Sequence, residues 1–475
     1  MRATCPLPTK SRSSTQPTGA SVVATVGVTC AVVVVIGVAV EIVVVPAIGA
    51  QAANDNKPTK VKDRMPARVR PGLHLIEQSR FPTDRKPVMT EAVIVATARS
   101  PIGRAYKGTL IEIRADDLAG FAINALMEKV PEIDRVSVVD VMVGCGLTHH
   151  EQGYNLARPA SLLGGMPDTV PATTVNRFCA SSLETIRMAF HAIRSGEGDT
   201  YVAAGSESTT RTYGKGFDSE DLNPRFTDPE RDDFINNVYI PMGNTAENVA
   251  DRHGITRERM DEFAKRSQDL AVESQKNGFF DWEITPIEIP DGRTISVDEG
   301  PRPNTTIEKL AELGPVFKQG GSVTAGNSCP LNDGSAAVLV LSEQRANYLG
   351  LTPLARIVAS SVVGVAPEYM GMGPVGAVRQ VLAQAGMTLD DVDLIEINEA
   401  FAAQVLACAD VLGIDMDRLN PHGGSIALGH PFGMTGARIM GTLINGLRSQ
   451  DKAIGLETMC VGGGQGMAMI VERLS

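Results

Sequence analysis

The sequence lacks paired cysteines, a phosphate-cradling P-loop and any surplus of basic charge. Its seven cysteines, Cys5, Cys30, Cys145, Cys179, Cys329, Cys408 and Cys460, are scattered through 475 residues, and no C-x-x-C pair occurs. A disulfide scaffold is therefore excluded, zinc-ribbon geometry is unsupported, and the usage fits a reducing compartment. Neither a Walker loop nor a G-x-S-x-G nucleophile elbow is found. At 43% hydrophobic and 21% charged residues, wholesale disorder, a collagen-like repeat and a polytopic membrane protein are also excluded. The length suffices for two or three domains with real cores.

The net charge of −11 is unevenly spread. Residues 1–88 hold 12 Lys/Arg against 5 Asp/Glu, whereas the remaining 387 hold 32 against 50. An acidic body argues against nucleic-acid binding, because phosphate contacts need clustered positive surface. Residues 13–40 carry no charge and from Val22 are almost all Val, Ala, Gly and Ile; the apolar run resumes after Glu41 and ends near 45. Such a run could span a bilayer or serve as a signal, with Ala50-Gln51-Ala52 as a weak cleavage site. The alternative is that 1–88 is a non-core extension from an over-long start, since a Pro/Lys/Arg-rich linker follows. Membrane contact through 13–45 stands against a cytoplasmic enzyme on this point.

From Met89 the texture is α/β. Residues 92–96, 140–143 and 201–204 read as buried strands, and 116–129 and 181–194 as helices. In the second helix Leu183, Ile186, Phe190 and Ile193 share one face, and Gly196 ends it. Residues 210–329 are polar and charge-rich, with one long helical stretch at 256–277, and read as an insertion. Strand texture returns at 336–341 and 355–359, which points to a duplicated body.

Cys179 lies where a loop meets the helix at 181–194. Free N–H groups and the helix dipole there would lower a thiol pKa; an isolated cysteine is otherwise a core filler. Glycine-dense loops at 326–334, 420–433 and 459–466 would let backbone N–H groups approach a ligand. The last is not a dinucleotide fingerprint, because a strand rather than a helix follows it. His430, between Gly429 and Pro431, has little room to act as a core filler. Asn398 and Glu399 follow the strand at 394–397, at the strand end where α/β folds bind ligands.

Taken together, VNRFCASS (175–182), TAGNSCPLNDG (324–334), EINEAFAAQ (396–404), GGSIALGHPFG (423–433) and CVGGGQG (460–466) resemble the thiolase family of acetyl-CoA acyltransferases. The resemblance runs from about Glu91 to the C-terminus. It implies a duplicated five-layer α-β-α-β-α fold with an inserted loop domain. The corresponding domains are 89–209 with 330–352, a loop domain at 210–329, and 353–475. It also implies roles. Cys179 would be the nucleophile that takes the acyl group, His430 the imidazole that deprotonates it, and Cys460 the thiol that moves a proton on and off the α-carbon. Asn398 would hold a water in one oxyanion hole, with the N–H groups of Cys179 and Gly462 forming the other.

Met242, Cys329 and Phe401 would contact the substrate. Cys329 stands where family members often carry Ser, which removes a hydroxyl for the pantetheine. Pro241-Met242-Gly243 looks like the degradative 3-ketoacyl-CoA type, whereas some biosynthetic members have His before Met-Gly. The resemblance thus implies cleavage of 3-oxoacyl-CoA in fatty-acid or sterol side-chain β-oxidation. The alternative is acetyl-CoA C-acetyltransferase activity by Claisen condensation. Coenzyme A would be co-substrate, with no metal and no permanently bound cofactor, and the assembly a homodimer or homotetramer. A decarboxylating ketosynthase would need two His where Asn398 and Cys460 stand, and a non-catalytic relative would be expected to lose Cys179.

Overall fold

The computed structural model describes residues 90–212, 219–231 and 237–475, together with two short strands, Val34–Ile36 and Ala39–Glu41, that pair antiparallel. The chain divides into two units between Phe81 and Pro82. Apart from those two strands, the apolar run at 13–45 lies outside the described residues, and so does the membrane contact it would make. No helix among the described residues is long and apolar enough to cross a membrane.

Five strands make the N half: β1 (Ala92–Arg99), β2 (Asp140–Gly144), β3 (Ala172–Val175), β4 (Thr200–Ser208) and β5 (Asn332–Ser342). Four make the C half: β6 (Ala355–Gly364), β7 (Leu394–Ile397), β8 (Ile454–Val461) and β9 (Gln465–Arg473). Their order is β7-β8-β9-β6-β1-β5-β4-β2-β3, with the short strand Gly103–Arg104 also pairing β5. Among the described residues, the strands of the two halves pair with each other only at Ala355–Ile94 and Arg356–Val93. Outward from that joint both repeat one plan. The first strand pairs antiparallel with the last, the last antiparallel with a third, and the third parallel with a fourth.

The helices that matter are α1 (Ala115–Glu128), α2 (Ser181–Ser195), α3 (Met242–His253), α4 (Arg257–Lys276), α5 (Gly373–Ala385), α6 (Ala402–Leu412) and α7 (Thr435–Ser449). In β1, Ala92 and Ile94 face one core and Val93 and Val95 another, so the strand is buried on both sides, as period-2 alternation requires. The central core takes Leu183, Ile186, Phe190 and Ile193 of α2 and Ile439, Met440 and Leu443 of α7. It packs them against Val338 of β5 and Met459, Met467 and Val471 of the C half. The apolar faces of α1 and of α5 with α6 cover the outer sides. This is the five-layer α/β arrangement. Gly196, at φ +79°, caps α2 in the left-handed conformation where it was expected to stop.

β4 and β5 are direct neighbours although the polar segment lies between them in sequence. That segment carries α3 and α4 and leans on the C half, with Arg259 forked onto Asp410 of α6 at 3.0 Å. A buried pairing of Arg99 with Glu283 and Asp298, at 2.9 and 2.8 Å, ties it to the N half. The helix α3 was not anticipated from sequence. Its signals are Pro241 just before it and Gly254, at φ +63°, just after it.

Candidate active site

The turn Phe178–Ala180 carries Cys179 between β3 and α2. Phe178 is held at φ +45°, a conformation that a bulky residue rarely adopts. Three hydrogen bonds impose it. Phe178 N–H donates to Asn176 Oδ1 at 2.8 Å, Ser181 Oγ donates to the Phe178 carbonyl at 2.6 Å, and Arg177 N–H donates to Ser181 Oγ at 2.9 Å. Arg177 then reaches across to Gln465 Oε1 at 2.8 Å, binding the turn to the C half.

The position of Cys179 at a helix start does not lower its pKa as expected. Burial pushes the thiol up to about 12, although the N–H groups of Gly462 and of Cys179 itself point at the sulfur and pull the other way. Desolvation outweighs the local dipoles, so a thiolate needs a base.

That base can be His430, which is 1% exposed. Its Nδ1 lies 2.7 Å from Thr435 Oγ1, and Thr435 Oγ1 donates to the Pro431 carbonyl at 2.7 Å. A hydroxyl has one proton, so Nδ1 must donate to Thr435 and Nε2 is left as an acceptor. Burial and then the nearby Arg438 lower the His430 pKa to about 3, which keeps the ring neutral. Gly429, at φ +112°, precedes it. A Cβ there would sit 2.6 Å from Asn332 Cγ, so only glycine lets the loop turn so close to the N half.

Asn398 leaves the end of β7 with its Nδ2 3.3 Å from His430 Nε2 and its Oδ1 accepting from Ser425 Oγ at 2.6 Å. Cys460 is fully buried near the end of β8. Burial holds its thiol well above the ordinary range, and Cys179, Cys408 and Cys329 lie near enough to raise it further. The β8–β9 turn uses Gly463 and Gly464 at φ +75° and +86°, and it aims the Gly462 N–H at Cys179. Met242 packs beside Ala246, Val323, Met370, Phe401 and Cys460 in one apolar cluster. Cys329 joins it through its N–H to the Ala400 carbonyl at 3.0 Å. All eight residues singled out in sequence are thus brought to one place.

Five ordered motifs on a duplicated sheet match one profile pair. The family profiles for thiolase N-terminal and C-terminal domains match residues 92–344 and 351–473. The chain belongs to the thiolase family. Among thiolase relatives, a beta-ketoadipyl-CoA thiolase of Acinetobacter baylyi is 44% identical over 404 residues, covering 81% of this chain and all of the relative. A 3-ketoacyl-CoA thiolase of Marinomonas is 42% identical over 81% of this chain and 98% of the relative. The solved human mitochondrial 3-ketoacyl-CoA thiolase in complex with CoA superposes with a TM-score of 0.74 at 37% identity, covering 82% of this chain and 99% of that one.

Sequence reasoning missed Thr435, Ser425, Arg438 and Glu207 in this thiolase site. Glu207, fully buried near the end of β4, accepts from the N–H groups of Gly146, Leu147 and Gly433 at 2.8, 3.2 and 2.8 Å. It fastens the loop after His430 onto the N half. Only a buried acidic residue closing a β-branched run could have hinted at it.

Proposed function

We propose that this thiolase works in the degradative direction on apolar 3-oxoacyl-CoA chains, with Cys179, His430, Cys460 and Asn398 as its catalytic residues. His430 Nε2 takes the Cys179 proton as the sulfur attacks the 3-keto carbon. The imidazolium and the developing negative charge stabilise each other, which offsets the thiol's high pKa. The N–H groups of Cys179 and Gly462, and a water held by Asn398, supply the oxyanion donors. The Cα–Cβ bond then breaks, its electron pair forms the acetyl-CoA enolate, and the Cys460 thiol protonates the α-carbon. Cys460, now a thiolate, takes the proton of incoming CoA. The CoA sulfur attacks the acyl group, and Cys179 recovers its proton from His430.

The observation that carries the chain preference is the apolar cluster of Met242, Val323, Met370 and Phe401 against Cys460. Arg177, the cation two residues from Cys179, is already engaged by Glu184 and Gln465. It offers no counter-charge to a carboxylate-ended chain. A second reading, 3-oxoadipyl-CoA as substrate, is favoured by the identity to the Acinetobacter relative. For the nucleotide end of CoA we assign a cavity of about 290 Å³ lined in part by Arg302, Asn304, Thr305, Lys309 and Gly326, where two cations can meet phosphate and Gly326 opens the loop that leads to Cys329.

The test is thiolysis by the full-length chain of long-chain 3-oxoacyl-CoA, acetoacetyl-CoA and 3-oxoadipyl-CoA, with Cys179→Ala as control. Fastest cleavage of the long chain is the expected result. Preference for the dicarboxylic substrate establishes the second reading, and activity confined to acetoacetyl-CoA overturns the degradative assignment.

A further inference from the structure

Arg438 lies on α7, 1% exposed, in the helical layer packed against both halves of the sheet. Burying a guanidinium costs several kcal/mol unless partners close on it. Among the described residues only Nη2 has a partner, Ser425 Oγ at 2.8 Å, while Nε and Nη1 have none. Glu457 of β8 interacts with it, yet neither of its carboxylate oxygens makes a hydrogen bond to a described residue. A structural ion pair would look different.

The direction of the chain of hydrogen bonds is informative. A guanidinium only donates, so Ser425 Oγ accepts from Arg438 and must turn its own proton to Asn398 Oδ1, 2.6 Å away. That fixes the carboxamide with Nδ2 toward His430 Nε2 at 3.3 Å. From the other side, Thr435 forces the His430 proton onto Nδ1. Both ends of the relay therefore require Nε2 to be an acceptor.

We infer that Arg438 is a positioning residue for proton transfer: acting through Ser425, it sets the face of Asn398 and holds His430 with Nε2 unprotonated, an acceptor for the Cys179 proton. This rests on the thiolase chemistry proposed above.

The charge of Arg438 adds a second effect, because a cation disfavours a nearby imidazolium. The groups that act on Arg438 are Glu396 of β7, Arg99 of β1, Glu283 and Asp298 of the inserted segment, and Glu457 of β8. Arg99 is closed by Glu283 and Asp298. Burial pushes the Glu396 carboxyl up to about 8 and holds Glu457 well above the usual carboxylate range, while Arg438 pulls both the other way. Beside burial, Arg438 is the charge that acts on His430.

Two variants separate relay from charge, read by thiolysis of a long-chain 3-oxoacyl-CoA from about pH 5 to 9 and by iodoacetamide alkylation of Cys179. Ser425→Ala keeps the charge and breaks the relay. Its kcat should fall about 30-fold with KM within about twofold, and alkylation should slow about 10-fold, a smaller loss than removing a direct oxyanion donor. Ser425→Thr should restore most of both. Arg438→Gln keeps a donor for Ser425 and removes the charge. Its acid limb should move to higher pH, because removing the cation lets the His430 pKa rise while burial still holds it low.

Wild-type kcat and alkylation in Ser425→Ala overturn the inference, as does an unshifted acid limb in Arg438→Gln when the titration is carried down to about pH 4. If Arg438→Gln does not fold, the Ser425 pair decides alone. If the wild type cleaves none of the acyl-CoA substrates, the thiolysis reading fails, while alkylation rates still test the relay.

Discussion

The two halves place different chemistry at equivalent points of one architecture. Glu207 of β4 pairs with Gly334, and Cys460 of β8 pairs with Gly466, at the same register in each half of the sheet. Each lies at the strand end where an α/β fold presents ligands. In the N half the position holds a carboxylate that accepts three backbone N–H bonds and secures the other half's loop. In the C half it holds a thiol that faces Cys179 and the apolar wall. Likewise α2 and α7 are both 15 residues long, yet Cys179 precedes one and His430 precedes the other. The two halves repeat one strand plan, and in the proposed function one holds the nucleophile while the other holds the proton carriers.

The strongest way to break this comparison is to remove each thiol. Cys179→Ala should abolish thiolysis, by more than about 10⁴-fold, and leave no acyl-enzyme detectable by mass spectrometry. Cys460→Ala should lower turnover about 10³-fold yet still acquire an acyl group on Cys179 from an acyl-CoA donor. Equal loss of acylation in both variants would mean that the halves are not divided in this way.

Next comes the carboxylate. Glu207→Ala leaves three buried N–H groups without their acceptor and should cost about 3 kcal/mol in denaturant unfolding. A loss within error would show that Glu207 does not fasten the two halves.

Acid sensitivity should belong to the C half. His430 and His422 are depressed from 6.5 to about 3 and about 4, both chiefly by burial, and His422 also stacks on Phe279. Below pH 6.5 the unfolded chain protonates these rings while the folded one does not. Stability therefore falls as pH drops toward 4, on the order of 1–2 kcal/mol per ring by pH 5. His422→Gln should flatten the dependence in unfolding titrations; an unchanged slope would place the acid lability elsewhere.

The smallest effect concerns the wall. Met242→Trp should reduce kcat/KM for a long chain relative to acetoacetyl-CoA about 10-fold, and equal change for both substrates would remove Met242 from the acyl pocket.

Much of this was legible because local chemistry announces itself. Apolar spacing placed α2, Gly196 stopped it, and the order of the five blocks pointed to the family and to seven of the eight candidate site residues, with Met242 added from Pro241-Met242-Gly243. A cysteine at a helix start was legible too. That thiol's pKa was not, because it depends on how much solvent the other half of the molecule removes. Nor did the sequence reveal the relay, since Arg438 in an amphipathic helix reads as a solvated residue. Only packing α7 against both halves of the sheet buries that guanidinium and brings Ser425, Asn398 and Thr435 to bear on one imidazole. Side-chain identity is local, but desolvation and the direction of a hydrogen bond arise from whatever the fold places opposite, and here that is the other half of the molecule.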